Sequence, residues 1–334
     1  MRQRLNYIDI AKGIGIILVV LSHTDYSNIM HFALAFYVPI FFFCSGYTTS
    51  PMTTETGMKQ NFVKHATKLI KPYIFFNLIL ILIFRQFYLQ GFIGVFYSRY
   101  CLFPLNSPEP YRFLINGNYP LWFLTCMVVS YFLFYLIIYA PIKYQNYIAS
   151  SYLVITVLLS NLPILLPWSI DTAFLMALFM YLGMQTRQKI PSLYQSPKPH
   201  PLILFSFILY LLMIPLCEGI NISIREYGIS IAICFIAGLA GCVSVIYFSH
   251  ILEDSLLGKF LQQIGKHSLT IFCIEIPFIV MIGRPFATYT FMNCPSHPAI
   301  PIVTAIIEAL IACAGGYALS ILLQKNKHIR RLIF

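Results

Sequence analysis

Long apolar runs separated by short polar stretches organise this chain from end to end. Read at roughly 20 residues per membrane span, they predict ten spans, centred near residues 16, 39, 79, 130, 156, 177, 209, 238, 275 and 311. The fold expected is therefore all-α: a polytopic integral membrane protein with about ten transmembrane helices. Residues 1–334 are expected to form a single membrane-embedded domain.

The first run departs from a plain span. From Gly13 to Leu21 every residue is apolar or glycine, yet Lys12 and His23 bound the stretch. Eleven residues is three helical turns and a small remainder, which puts Lys12 and His23 on one face about 16 Å apart. Asp9 falls on a neighbouring face. Burying a lysine or an aspartate in a bilayer costs roughly 2.5–3.5 kcal/mol on insertion scales, a cost tolerated where a function or a partner exists. The helix reads as the wall of a reaction site. The ninth run, IGKHSLTIFCIEIPFIV, places Glu275 near mid-membrane, and the tenth carries Glu308. Such carboxylates are either protonated or paired with a cation, and a structural pair and a catalytic one fit equally.

Composition narrows the class. With 59% hydrophobic and 10% charged residues and a mean hydropathy of +0.77, the chain lies outside the range of soluble globular domains. A net charge of +11 raises the question of nucleic acid. Of 22 lysines and arginines, however, only Arg85, Arg99, Arg112, Arg225 and Arg284 fall on the side opposite the N-terminus. That is a positive-inside distribution; it predicts both termini in the cytoplasm, an even number of spans and the lipid bilayer, not nucleic acid, as partner. The nine cysteines form no C-x-x-C pair, and neither H-E-x-x-H nor a phosphate-binding glycine loop occurs, so no metal is predicted. The first span lacks a small-residue cleavage pattern, so no cleavable leader is expected.

The connections add candidates. NFVKHATKLIKPY crowds Lys64, Lys68 and Lys71 at the cytoplasmic mouth of the third span, which suits a phosphate-bearing ligand or ordinary positive-inside loading. The longest outer connection, Gln90 to Asn118, carries Tyr111 and Arg112, and NYPLWFL follows with Tyr119 and Trp122. Aromatics beside an arginine and amides make a platform for a sugar ring, or an interfacial belt. Pro39 sits inside the second run, where proline marks a kink beside a cavity. Ser45 ends that run; it is a hydrogen-bond donor, a transient acyl carrier or a backbone feature before Gly46. Asp171, at the start of the sixth span, reads as a helix cap.

Several stretches together resemble a known family. D-x-x-K-G-x-x-I-x-L-V-V-L-x-H across Asp9 to His23 is similar to the first span of acyltransferase family 3, particularly its fucose 4-O-acetylase-like branch. PIFFFCSGY, KLIKPYIFF, PLWFLTCMVVSYFLFYL, LPWSIDTAFLMALFMYLGM and IGKHSLTIFCIE resemble later stretches in the same order. The resemblance implies an enzyme of a bacterial-type inner membrane that moves acetyl from acetyl-CoA, a co-substrate, to a carbohydrate hydroxyl. It implies His23 as catalytic histidine and Lys12 and Lys68 as donor-binding positions, with Lys64, Lys71 and Ser45 beside them. Tyr37 and Glu275 depart from the branch, whose members often carry histidine at both places. Tyr37, Tyr111, Arg112, Tyr119 and Trp122 are then the acceptor-binding candidates. A neutral imidazole removes the hydroxyl proton as it attacks the thioester, with Asp25 or Glu275 orienting the ring. The rival readings are a proton- or ion-coupled transporter using Lys12, His23, Glu275 and Glu308, and transfer of another acyl group such as succinyl. A homodimer fits the sequence as well as a monomer does.

Overall fold

Apolar runs fold as helices because a helix satisfies its own backbone hydrogen bonds wherever water is absent. The computed structural model describes residues 4–24, 30–49, 57–104, 120–190, 200–291 and 300–333. It is 81% helical. The helices are α1 (Asn6–Ser22), α2 (Pro39–Thr48), α3 (Met58–Phe84), α4 (Leu89–Tyr97), α5 (Trp122–Tyr139), α6 (Ile142–Ser160) and α7 (Ile170–Lys189). There follow α8 (Pro201–Met213), α9 (Ile231–Ile251), α10 (Leu256–Lys266), α11 (Ser268–Phe278), α12 (Arg284–Phe291), α13 (Ile300–Lys325) and α14 (Lys327–Ile333). The sheet among the described residues is one antiparallel pair, β1 (Ile220–Asn221) with β2 (Glu226–Tyr227), in which Ile220 faces Tyr227.

Six helical stretches among the described residues are long and apolar enough to cross a membrane: Met58–Phe84, Trp122–Tyr139, Pro167–Lys189, Ile231–Ile251, Ser268–Tyr289 and Ile300–Lys325. Those six correspond to the runs expected near 79, 130, 177, 238, 275 and 311. The other four runs are shorter or more polar as helices. Helix α1 has 17 residues and α2 has 10, Lys143, Gln145 and Asn146 occupy the first turns of α6, and Pro201–Leu216 is apolar but short. Near residue 39 the local structure also differs from the expected kink. Residues 31–38 form tight turns, with the Tyr37 N–H on the Ala33 carbonyl at 3.1 Å, and Pro39 opens α2, where its missing N–H costs no hydrogen bond. Pro72 and Pro277, by contrast, do lie inside helices.

The chain divides into two compact units interleaved in sequence. The first comprises Met1–Phe41, Leu193–Glu218 and Ile236–Arg330; the second comprises Phe42–Ser192, Gly219–Phe235 and Arg331–Phe334. In the first, α1 crosses α10 on glycine. A Cβ on Gly13 would stand 2.1 Å from the Leu261 carbonyl oxygen, and one on Gly265 would stand 1.8 Å from that of Asp9. The two backbones thus approach closer than any side chain permits, as in other small-residue crossings of membrane helices. Helix α10 was not legible as a span, being an 11-residue piece. Ser255 caps it by accepting the Gly258 N–H at 2.9 Å. Gly265→Ala must force this crossing apart, at about 1–3 kcal/mol for overpacking. A lower melting temperature in detergent is expected for that variant, with no change for Gly57→Ala, whose Cβ would meet nothing within 4 Å.

The second unit uses the same device. Gly46 packs on the Met180 carbonyl and Gly183 on that of Phe43, which locks α2 to α7. Gly46 is therefore a crossing residue within α2, not the end of the helix. At the start of α7, three chain segments meet at a buried ion cluster. Asp171 is 0% exposed, and it accepts from the Arg99 guanidinium and from the Leu166 N–H at 2.9 Å. Arg225 Nε lies 3.5 Å from Oδ2, the oxygen that also takes the Leu166 N–H. Arg99 also donates to the carbonyls of Leu166 and Ser223, and Arg225 to those of Leu159 and Leu162.

Candidate functional site

The last turn of α1 sets up the reactive group. The helix ends at Ser22, and the His23 N–H closes it on the Val20 carbonyl at 3.1 Å, so the imidazole projects from the helix end. From α11, Glu275 reaches it: Nδ1 of His23 lies 2.7 Å from Oε1 of Glu275. The carboxylate is fully buried, whereas the imidazole keeps 28% of its surface. When Glu275 is ionised it can only accept, so Nδ1 then carries the proton and, in the neutral ring, the lone pair is on Nε2. Glu275 and His23 lie 252 residues apart in sequence; the sequence marks each as an intramembrane ionisable residue, and the fold makes them a pair.

The surroundings are small and local. Tyr37 is half-buried and is carried by the turns before α2. Those turns are held from α8 and α9: Tyr210 donates its hydroxyl proton to the Phe32 carbonyl, and Gly241 packs on Phe36. Two residues after Glu275, Pro277 lacks the N–H that would bond the Cys273 carbonyl. A π-helical segment, Ile279–Gly283, follows, and Gly283 packs on Glu308. Irregular helices of this kind frequently occur at functional sites. Lys12 is half-buried on α1, three turns before His23. Asp9 is 6% exposed and pairs with Arg4, at 2.5 Å and 3.1 Å, so Arg4 matches its charge.

The family model for this acyltransferase domain matches residues 5–325. The chain belongs to acyltransferase family 3. Neither a curated protein nor a solved structure matches it. Family 3 membership makes the chain a membrane acyltransferase, and the match runs through both units and through Lys12, His23, Tyr37 and Glu275.

Other residues that the sequence nominated for a family 3 site belong to the second unit. Lys64, Lys68 and Lys71 are exposed on α3 at positions that share one helix face. His65, beside them, stacks on Tyr131 with ring centroids 4.5 Å apart and takes a 2.8 Å hydrogen bond with the Tyr135 hydroxyl. The sequence reading missed His65, although its i+1 position to Lys64 and the Tyr131, Tyr135, Tyr139 ladder at helical spacing were both visible. Ser45 is half-buried on α2, and its carbonyl accepts from the Thr49 hydroxyl at 2.9 Å. Trp122 is buried at the start of α5, edge-on to Phe123. Asp25, Tyr111, Arg112 and Tyr119 lie outside the described residues.

Proposed function

We propose that this family 3 enzyme is an O-acetyltransferase of the fucose 4-O-acetylase-like branch, moving acetyl from cytosolic acetyl-CoA to a hydroxyl of a surface polysaccharide or its lipid-linked precursor. The observation that carries the mechanism is the 2.7 Å contact between His23 and Glu275. Ester formation from a thioester needs a base for an alcohol proton at neutral pH. Imidazole, with an unperturbed pKa near 6.5, supplies one. Glu275 fixes the tautomer and offsets the positive charge that forms on the ring, the role a buried carboxylate plays behind a catalytic histidine. The same proton then goes to the departing coenzyme A sulfur.

Donor and acceptor assignments rest on charge and shape. Lys12 and Lys68, with Lys64 and Lys71 beside Lys68, are the cations proposed for the acetyl-CoA phosphates. Tyr111, Arg112, Tyr119 and Trp122 are proposed to take the sugar. The positive-inside count supports an even number of spans with both termini in the cytoplasm; ten spans in a bacterial-type inner membrane are our reading of the apolar runs and the family. We take the whole chain as one catalytic domain.

The test is transfer of radiolabelled acetyl from acetyl-CoA to cell-envelope glycans by purified protein in detergent. Label in glycan is the expected result. Label that moves only from succinyl-CoA would change the acyl group, and no transfer from either donor would overturn the reading and turn attention to ion flux in liposomes. Glu275→Gln keeps an acceptor for Nδ1 but removes the charge. It is expected to lower kcat by about 10- to 100-fold while leaving the KM for acetyl-CoA within about twofold, because the loss falls on the transition state.

A further inference from the structure

The lysine row at the start of α3 contains a histidine that is held in one orientation. Asn61, Lys64, His65 and Lys68 follow one another at three- and four-residue spacing, so they are neighbours on the helix surface. Both lysines are exposed and His65 is half-buried. Nδ1 of His65 lies 2.9 Å from the Asn61 carbonyl and 2.8 Å from the Tyr135 hydroxyl. The ring also stacks on Tyr131, with centroids 4.5 Å apart and planes inclined by 22°. Asn61 is fixed in turn, its side-chain amide donating to the Tyr139 hydroxyl at 3.0 Å. Positive-inside loading calls for cations, not for an oriented imidazole.

The clamp decides what the ring can offer. A carbonyl can only accept, so Nδ1 carries the proton in its contact with Asn61 and, in the neutral ring, the lone pair is on Nε2. Nε2 has no hydrogen-bond partner among the described residues and is not sealed off. From α5, Tyr131 and Tyr135 meet the ring, and that helix carries no charged residue. The charges that act on it are those of Lys64 and Lys68. Two ammonium groups beside an open imidazole nitrogen suit an anion that can share a proton. A phosphate monoester does so near neutrality, because its second pKa is about 6 and that of free imidazole about 6.5. One proton then lies between Nε2 and a phosphate oxygen, whichever of the two holds it, and the lysines offset the remaining charge. Coenzyme A carries two kinds of phosphate. Its diphosphate bridge has only strongly acidic hydroxyls and no proton to share at neutral pH, whereas the phosphate on its ribose is a monoester.

We infer that His65, between Lys64 and Lys68 on α3, reads the ribose phosphate monoester of the acyl donor and is a specificity-determining residue of the proposed acyl transfer. The inference rests on the acetyl-CoA reading above and goes beyond it in assigning one phosphate to one side chain. Tyr131, Tyr135 and Asn61 are positioning residues, since they act through the ring.

The experiment compares acetyl-CoA with acetyl-dephospho-CoA, which lacks that phosphate, on the full chain in detergent with the acceptor that the wild type acetylates. A hydrogen bond to a charged group is worth about 10- to 100-fold in affinity, so wild type is expected to show a KM for acetyl-CoA lower than that for the dephospho donor by about that factor. His65→Gln should cut the preference to about threefold or less, with kcat for both donors and the KM for acetyl-dephospho-CoA within about threefold of wild type. Both donors are measured on one preparation, so partial misfolding lowers both rates and cancels in their ratio. A second arm needs no variant: as the pH rises from about 6.5 to about 8.5 the shared proton is lost, and the wild-type preference should fall by about tenfold. Equal KM values for the two donors in wild type, a preference that survives intact in His65→Gln, or one that is constant with pH would each overturn the assignment. So would a variant in which both KM values rise alike, which makes His65 a packing residue. Transfer from neither donor by wild type is a different result: the acyltransferase reading then fails, and this inference falls with it.

Discussion

His23→Ala is expected to lower acetyl transfer by about 10²–10⁴-fold, the range that a positioned general base contributes. The expectation rests on how the residue is held. Nδ1 is fixed by Glu275 at 2.7 Å, and the ring retains 28% of its surface, so Nε2 is the nitrogen presented to a substrate. Two other histidines are held elsewhere: His267 bonds Ser320, and His250 lies against Glu253. The variant also strands a fully buried carboxylate, which prefers to take up a proton when it has no partner. Two readouts are therefore needed: turnover with labelled acetyl-CoA, and the melting temperature. A drop in turnover with acetyl-CoA affinity retained assigns a chemical role to His23. Turnover within about threefold of wild type would exclude it as the base. If stability falls as well, His23→Gln restores a polar partner for Glu275 without a base of useful pKa, and it should recover stability and not rate.

How far this site was legible depended on whether a signal was local. His23, Lys12 and Glu275 stand out because an ionisable residue within an apolar run is costly wherever it ends up. Their chemistry could be read one by one. Their pairing could not, since α1 and α11 meet only in the fold, and the sequence left Glu275 open beside Asp25, which could serve only if the helix ended near His23. Pro39 was misplaced within its run because hydropathy cannot separate a kinked helix from turns that end in a new helix; both are apolar. Gly46 looked terminal for a similar reason: a glycine at a helix crossing and a glycine at a helix end have the same neighbours in sequence, and only the Met180 carbonyl on the other helix distinguishes them. The amphipathic α10 was hidden because a stretch of 11 residues is too short to register as a span. The family motif, by contrast, runs along single helices, and the family was readable from it.

The largest effect on stability is expected at Asp171, which the sequence presented as a helix cap. It is instead the only acid in contact with two buried arginines among the described residues, Arg99 at 1% exposure and Arg225 at 7%. Asp171→Ala leaves both cations facing each other with no anion between them, and breaking a buried pair in this way costs about 3–5 kcal/mol. The expected result is a much lower melting temperature in detergent or failure to accumulate. Asp171→Asn should fall between, because its amide oxygen can still accept from the Leu166 N–H and from Arg99. Arg225→Leu should be milder than Asp171→Ala. It removes one cation and leaves Asp171 with Arg99, at the cost of freeing the carbonyls of Leu159 and Leu162. The order of the three variants is the test, since it separates charge from packing: a cluster held by packing alone would suffer most from loss of the larger arginine side chain. If Asp171→Ala melts within a few degrees of wild type, the arginines must be solvated in the folded protein. If the expected order holds, electrostatics fasten the segments around Arg99, Leu159–Asp171 and Ser223–Arg225 to one another, within a unit whose helices α2 and α7 are already locked by glycine contacts that carry no charge.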